Sequence, residues 1–87
     1  MPYISQASRQ WLDPSLRILQ GECLSPGDVT DCIYKLVMGY LSKNKTTYSR
    51  LALCLGILES AKMEFYRRLV GPYEERKCAE NGDVNIG

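Results

Sequence analysis

Between positions 66 and 77 the chain carries Tyr66, Arg67, Arg68, Tyr73, Arg76 and Lys77, a cluster of cations and phenols that could do chemistry together. A guanidinium offers planar paired donors that match phosphate. A tyrosine ring offers a stacking face with a hydroxyl at its edge. The combination suits a nucleotide or another planar anion. In one chain such a patch would be shallow, and repeated by symmetry it could become an enclosed basic pocket. A plainer reading stands beside it. The two tyrosine rings pack against the corner at Pro72, and the arginines stay solvated or pair with Glu64, Glu74 and Glu75.

Other chemistries find little support. Histidine is absent, which removes the commonest general base and the commonest metal ligand together. There is no glycine-rich phosphate loop and no nucleophile elbow. Carboxylates at Glu59, Glu64, Glu74, Glu75, Glu80 and Asp83 could in principle hold a hard cation. Glu59 and Glu64, however, lie roughly 140° apart around a helix and do not share a face. Glu64 with Arg68, and Arg76 with Glu80, read better as ion pairs one turn apart. A metal-dependent nucleotide-processing enzyme would need Glu59, Glu64 and Glu74 gathered from several subunits. The expectation is a non-enzymatic protein with no metal and no cofactor. The cysteines at 23, 32, 54 and 78 form no Cys-x-x-Cys motif and are expected to be reduced. Cys32 and Cys54 fall on apolar faces, where a thiol acts as a small hydrophobe.

The elements that must position the cluster are helical. In the first segment, 1–21, either Ser5 or Asp13-Pro14 can start a short helix or arm, and Gly21 closes it. Ser25-Pro26-Gly27-Asp28 opens a second helix, 25–43, with a cap, a proline at the first position and an early carboxylate. Val29, Cys32, Ile33, Leu36, Val37, Tyr40 and Leu41 then follow the helical period. Thr46 or Thr47 caps a third helix, 47–70, which Gly71-Pro72 interrupts. A last piece, 72–82, is a kinked continuation or a separate short helix ending at Asn81-Gly82. No segment has the alternation of a strand.

The third helix is apolar nearly all round in its first half, with Leu51, Leu55 and Leu58 on one stripe and Leu53, Cys54 and Ile57 on another. Ala52, Gly56 and Ser60 make a flat ridge on which a second helix can lie closely. That helix is either the chain's own first or second helix or another copy of the chain. A single domain of 87 residues buries only about 60 to 65% of the surface its unfolded form exposes, so self-association would relieve a marginal core.

Net charge is +1, with both signs spread along the chain, which gives no field for duplex nucleic acid or an anionic membrane. The longest apolar run, LALCLGIL, is too short to span a bilayer, and no charged-then-apolar leader stands at the start. The expectation is a soluble cytoplasmic protein.

The stretch GDVTDCIYKLVMGYL, followed by YSRLALCLGILESAKMEFYRRLVGPYEERKCAENGDV, resembles a family of small bacteriophage and prophage proteins. In that family a Leu-Glu-Phe-Tyr-Arg-Arg-like segment runs into Pro-Tyr-Glu and ends in Glu-Asn-Gly-Asp-Val. The resemblance covers positions 27–84. Arg67-Arg68, Pro72-Tyr73-Glu74, Lys77 and Asn81-Gly82-Asp83 match as they stand. Ser60 and Met63 depart, where the pattern has cysteine or alanine and leucine. The family implies a phage setting and supplies no mechanism. In length and plan the chain is also similar to the phage sponge proteins that oligomerise and sequester cyclic nucleotide immune signals, a likeness of architecture alone.

These readings combine into one expectation. The chain is all-α, with a short first helix, two longer antiparallel helices and a kinked or broken C-terminal extension. It self-associates through Ala52, Leu53, Gly56, Ile57 and Ser60. Tyr66, Arg67, Arg68, Tyr73, Arg76 and Lys77 then capture an anionic nucleotide-like ligand between subunits, in the host bacterial cytoplasm, as a counter-defence protein. In the alternative, the same corner grips a host protein through its tyrosine and arginine anchors.

Overall fold

The computed structural model describes residues 4–82. Every regular element among them is helical: α1, Gln6–Glu22; α2, Pro26–Leu41; α3, Tyr48–Phe65; a π-helical turn, Tyr66–Val70; and α4, Gly71–Asn81. The last three join into one long helix, so the architecture is three helices. The end of the Asn81-Gly82-Asp83 motif lies outside the described residues. No helix among the described residues is long and apolar enough to cross a membrane.

Two units divide the described residues, one covering 4–54 and the other 55–82. In the first, Ser5 and not Asp13 starts α1. Its hydroxyl accepts from the Ser8 N–H at 3.1 Å, while Pro14 sits inside the helix. A proline there leaves the carbonyl of Gln10 without its helical donor, a cost that the cap upstream and the eight residues downstream absorb. The first helix is consequently not short: at 17 residues it outruns the 16 of α2. Nor does Gly21 close it. Among the described residues only Gly82 has a positive φ, and α1 continues to Glu22, where the Cys23 N–H bonds the Leu19 carbonyl at 2.9 Å.

Helix α2 opens as its sequence requires. The Ser25 hydroxyl accepts from the Asp28 N–H at 3.1 Å, and the Asp28 carboxylate accepts from the N–H groups of Leu24 and Ser25 at 3.0 and 3.2 Å. These backbone donors hold the Asp28 carboxyl below its ordinary value. At the other end the Arg50 guanidinium reaches back from the first turn of α3 and donates to the carbonyls of Tyr40 and Leu41 at 2.9 and 3.3 Å. It also lies 5.1 Å from the Tyr40 ring centre. A cation over terminal carbonyls complements the helix dipole and satisfies acceptors with no helical donor. Thr47, of the two candidate threonines, caps α3 by accepting from the Arg50 N–H at 3.2 Å.

Burial is sparse. Among the described residues only Cys54, 6% exposed, is buried. Trp11 on α1, Leu36 on α2 and Leu55 on α3 are 84%, 60% and 69% exposed. Apolar side chains that the sequence places on helical faces are present on those faces and largely uncovered.

Candidate functional site

Residues 55–81 lie on one continuous helix, and the charged corner lies on it. Gly71-Pro72 does not interrupt the helix. Phe65, Val70 and Gly71 all keep right-handed helical dihedrals, and the Gly71 N–H bonds the Tyr66 carbonyl, five residues back. Pro72 has no N–H and its ring would collide with the carbonyl four residues earlier in an ordinary α-helix. Widening the preceding turn by one residue moves that carbonyl aside, which is how the helix accepts a proline without ending. A Cβ on Gly71 would stand 3.4 Å from the Tyr66 carbonyl oxygen, an ordinary contact, so the wide turn follows from Pro72 and does not depend on the glycine.

The extra residue also changes which side chains meet. Positions eight apart fall roughly 80° out of line on a regular α-helix. With one residue absorbed by the π turn they behave as if seven apart, nearly in line. Tyr66 accordingly donates its hydroxyl to the Glu74 carboxylate at 3.0 Å. That hydrogen bond, reinforced by the carboxylate's charge and by partial burial, raises the Tyr66 phenol above its ordinary value.

Glu64 is the hub of the corner. It accepts from Arg67 Nη2 at 2.7 Å and from Arg68 Nε, so one carboxylate oxygen holds both arginines. Its side chain is 21% exposed, and its other oxygen, Oε2, is covered and accepts no hydrogen bond among the described residues. Desolvation pushes the Glu64 carboxyl upward, but the Arg68 and Arg67 contacts outweigh it and leave the group below its ordinary range. One turn further on, Tyr73 carries Arg76 and Lys77 over its ring at 5.8 and 5.6 Å from the centre. Lys77 also pairs with Glu80 at 3.2 Å.

The six residues singled out from the sequence therefore form two groups. Arg67 and Arg68 gather on Glu64, whereas Tyr73, Arg76 and Lys77 make a cation–aromatic stack, and Tyr66 bridges forward to Glu74. A groove of about 640 Å³ lies elsewhere, on α2, while one of about 410 Å³ adjoins the corner. The latter is lined by Glu59, Lys62, Met63, Glu64, Tyr66 and Arg67, so it takes in only two of the six. Three of the carboxylates considered for a metal are engaged separately, Glu59 with Lys62 at 3.6 Å, Glu64 with the arginines and Glu74 with Tyr66, while Glu80 pairs with Lys77 and Asp83 lies outside the described residues. No three metal-ligating side chains come together among the described residues.

The small-residue ridge is open. A Cβ placed on Gly56 would meet nothing within 4 Å, and Leu53 and Ile57 beside it are 49% and 39% exposed. Cys54, the buried residue, points roughly 160° away from Gly56 around the helix. Ala52 shares that bearing with Gly56, whereas Ile57 stands only about 60° from Cys54 and Ser60 is half-buried.

One partner was missed by sequence reasoning. Arg50 carried a signal, because a guanidinium in the first turn opposes its own helix dipole and has another use here. Glu64 was read as a partner of Arg68 and, in the plainer reading, of the arginines together, and the structure shows one oxygen holding both.

No curated protein and no solved structure matches the chain. A family model described as a domain of unknown function, DUF6899, matches residues 1–84. With nearly its whole length within that match, the chain belongs to the DUF6899 family.

Proposed function

We propose that this chain is a non-enzymatic binding protein whose working form is a homo-oligomer. The observation that carries the reading is the open face at Ala52, Leu53 and Gly56 on a helix that turns the buried Cys54 away from Gly56, with Ile57 and Ser60 partly covered at its flanks. A glycine inside a helix costs about 1 kcal/mol relative to alanine, and close approach of another helix is the usual return. A second copy fits this face by its own charges. Glu59 and Lys62 border the ridge, and an antiparallel two-fold pairing sets each beside its opposite on the partner. The net charge of +1 opposes such pairing only weakly.

In this reading the oligomer brings the corners of two or more chains together. The Tyr73 ring with Arg76 and Lys77 supplies a stacking face and cations for an anionic, nucleotide-like ligand, with Tyr66 at its edge. Arg67 and Arg68 reach a ligand only by leaving Glu64, so they act as a reserve. The resemblance to phage proteins adds a setting: a counter-defence protein in the bacterial cytoplasm that sequesters a cyclic nucleotide signal.

A second reading is favoured by the Glu64 pairings themselves. With both arginines held by a carboxylate, the corner has the form of a rigid protein-contact surface, for which a host protein would be the target. Native mass spectrometry separates the two. An oligomer that gains discrete nucleotide masses, and loses them with Arg76→Ala and Lys77→Ala together, supports sequestration. An oligomer that stays bare with a panel of linear and cyclic nucleotides directs the reading to a protein target. A monomer at micromolar concentration overturns both as stated.

A further inference from the structure

The sulfur atoms of Cys23, just past the end of α1, and Cys32, within α2, lie 3.6 Å apart. A disulfide needs about 2.05 Å, a closure within reach of a small rotation of each side chain. We propose that Cys23 and Cys32 form a reversible dithiol–disulfide pair, a redox modification site that fastens the end of α1 to the second turn of α2.

Backbone contacts made by neither thiol hold the pair together. The Cys23 N–H is fixed to the Leu19 carbonyl at 2.9 Å, so the first cysteine sits at the closing turn of α1. The connection to α2 is then locked by Asp28, which accepts from the N–H groups of both Leu24 and Ser25. Two thiols carried by so short and so heavily bonded a link stay near each other through side-chain motion. Access is available as well. Both cysteines are partly exposed, unlike the buried Cys54, and Cys32 forms part of the wall of the open groove on α2 with Leu36 and Tyr40.

The step balances with a low-molecular-weight disulfide as oxidant. The Cys32 thiolate, facing the groove, attacks one sulfur of the reagent, whose own sulfur–sulfur bond breaks, and the released thiolate takes up the proton that Cys32 gave. Cys23 then loses its proton and attacks the Cys32 sulfur. The new bond forms between the two protein sulfurs, and the second reagent thiol leaves with that proton. Two protein thiols are oxidised and one reagent disulfide is reduced to two thiols. The hydrogen bond to Cys32, partial burial and the nearby carboxylates of Asp28 and Glu22 raise the Cys23 thiol above its ordinary value. Cys23 thus waits as a thiol until the mixed disulfide forms beside it.

The test uses the full chain in mixtures of oxidised and reduced glutathione, followed by alkylation and tryptic digestion. Trypsin cuts after Arg17 and Lys35, so peptide 18–35 carries both cysteines. It is expected to lose two hydrogens, with no bridge to Cys54 or Cys78, and thermal unfolding is expected to rise by roughly 5 °C. With Cys23→Ser, Cys32 should instead accumulate as the glutathione adduct, and Cys32→Ser should prevent the bridge altogether. The proposal is overturned if wild-type peptide 18–35 comes out fully alkylated, if it carries stable glutathione adducts, or if either sulfur prefers Cys54 or Cys78.

Discussion

The two units of the chain are held in opposite ways. In 4–54 the defining polar contacts run between elements: Arg50 of α3 onto the end of α2, Cys23 beside Cys32, and Asp28 onto the link before its helix. In 55–82 the described side-chain contacts stay on one helix, between residues three, four or eight apart. A lone helix of this kind is marginal in water and is stabilised chiefly by what covers it. The described polar contacts of the first unit thus join its elements, while those of the second brace a single helix. The charged corner lies wholly in the second unit, and the better-formed caps lie in the first.

The largest effect should come from the partner. Ile57→Lys adds a charge to the proposed interface, and sedimentation velocity should show the oligomer dissociating at least tenfold more readily, with helicity falling as the monomer accumulates. If the mass stays unchanged, the ridge is not the interface. Next in size is Arg50→Ala in the first unit. Losing charge-assisted bonds to two carbonyls should lower stability by about 1–2 kcal/mol in a urea titration, without altering subunit number. Arg50→Lys should recover only part of this, because an ammonium lacks the planar fork.

Acid should affect both units. Asp28 and Glu64 are both depressed from ordinary values of 3.8 and 4.5. Their contribution is present above those values and is lost as pH falls through the lower folded ones. Far-UV circular dichroism should therefore show helicity declining below about pH 4, and Asp28→Asn or Glu64→Gln should each flatten part of that decline. The smallest effect carries the most information through its sign. Gly56→Ala fills open space in a single chain, so a free ridge predicts a gain of about 1 kcal/mol. A closely packed second helix predicts a loss, read as weaker assembly at unchanged composition.

Much of the first unit was legible in the sequence, because caps are short-range chemistry: Ser25-Pro26-Gly27-Asp28 names its own hydrogen bonds, and Thr47 needs only the next turn. Pro14 was misleading, since Asp-Pro makes a good start and only the earlier Ser5 cap decides that it is not one. In the second unit the residues of the corner and the Glu64–Arg68 pair were legible, but not the bond from Tyr66 to Glu74 or the pairing of Lys77, in place of Arg76, with Glu80. Tyr66 and Glu74 meet only because the turn before Pro72 is wider than the regular period assumes. The exposure of the ridge was beyond reach of periodicity, which shows that a face is apolar and not what lies on it.

The π turn has a consequence for insertions and deletions. It stores one residue more than the α-helical repeat, so deleting a single residue between 66 and 70 would return the segment to regular phase, leaving Pro72 as the obstacle. Replacing Pro72 at the same time removes that obstacle and yields a helix that is locally more regular. Everything after the deletion would then keep its bearing relative to Glu64, whereas the same deletion in an ordinary helix swings the remainder by roughly 100°. The wide turn is therefore a built-in allowance of one residue, and the proline decides where along the helix it is kept.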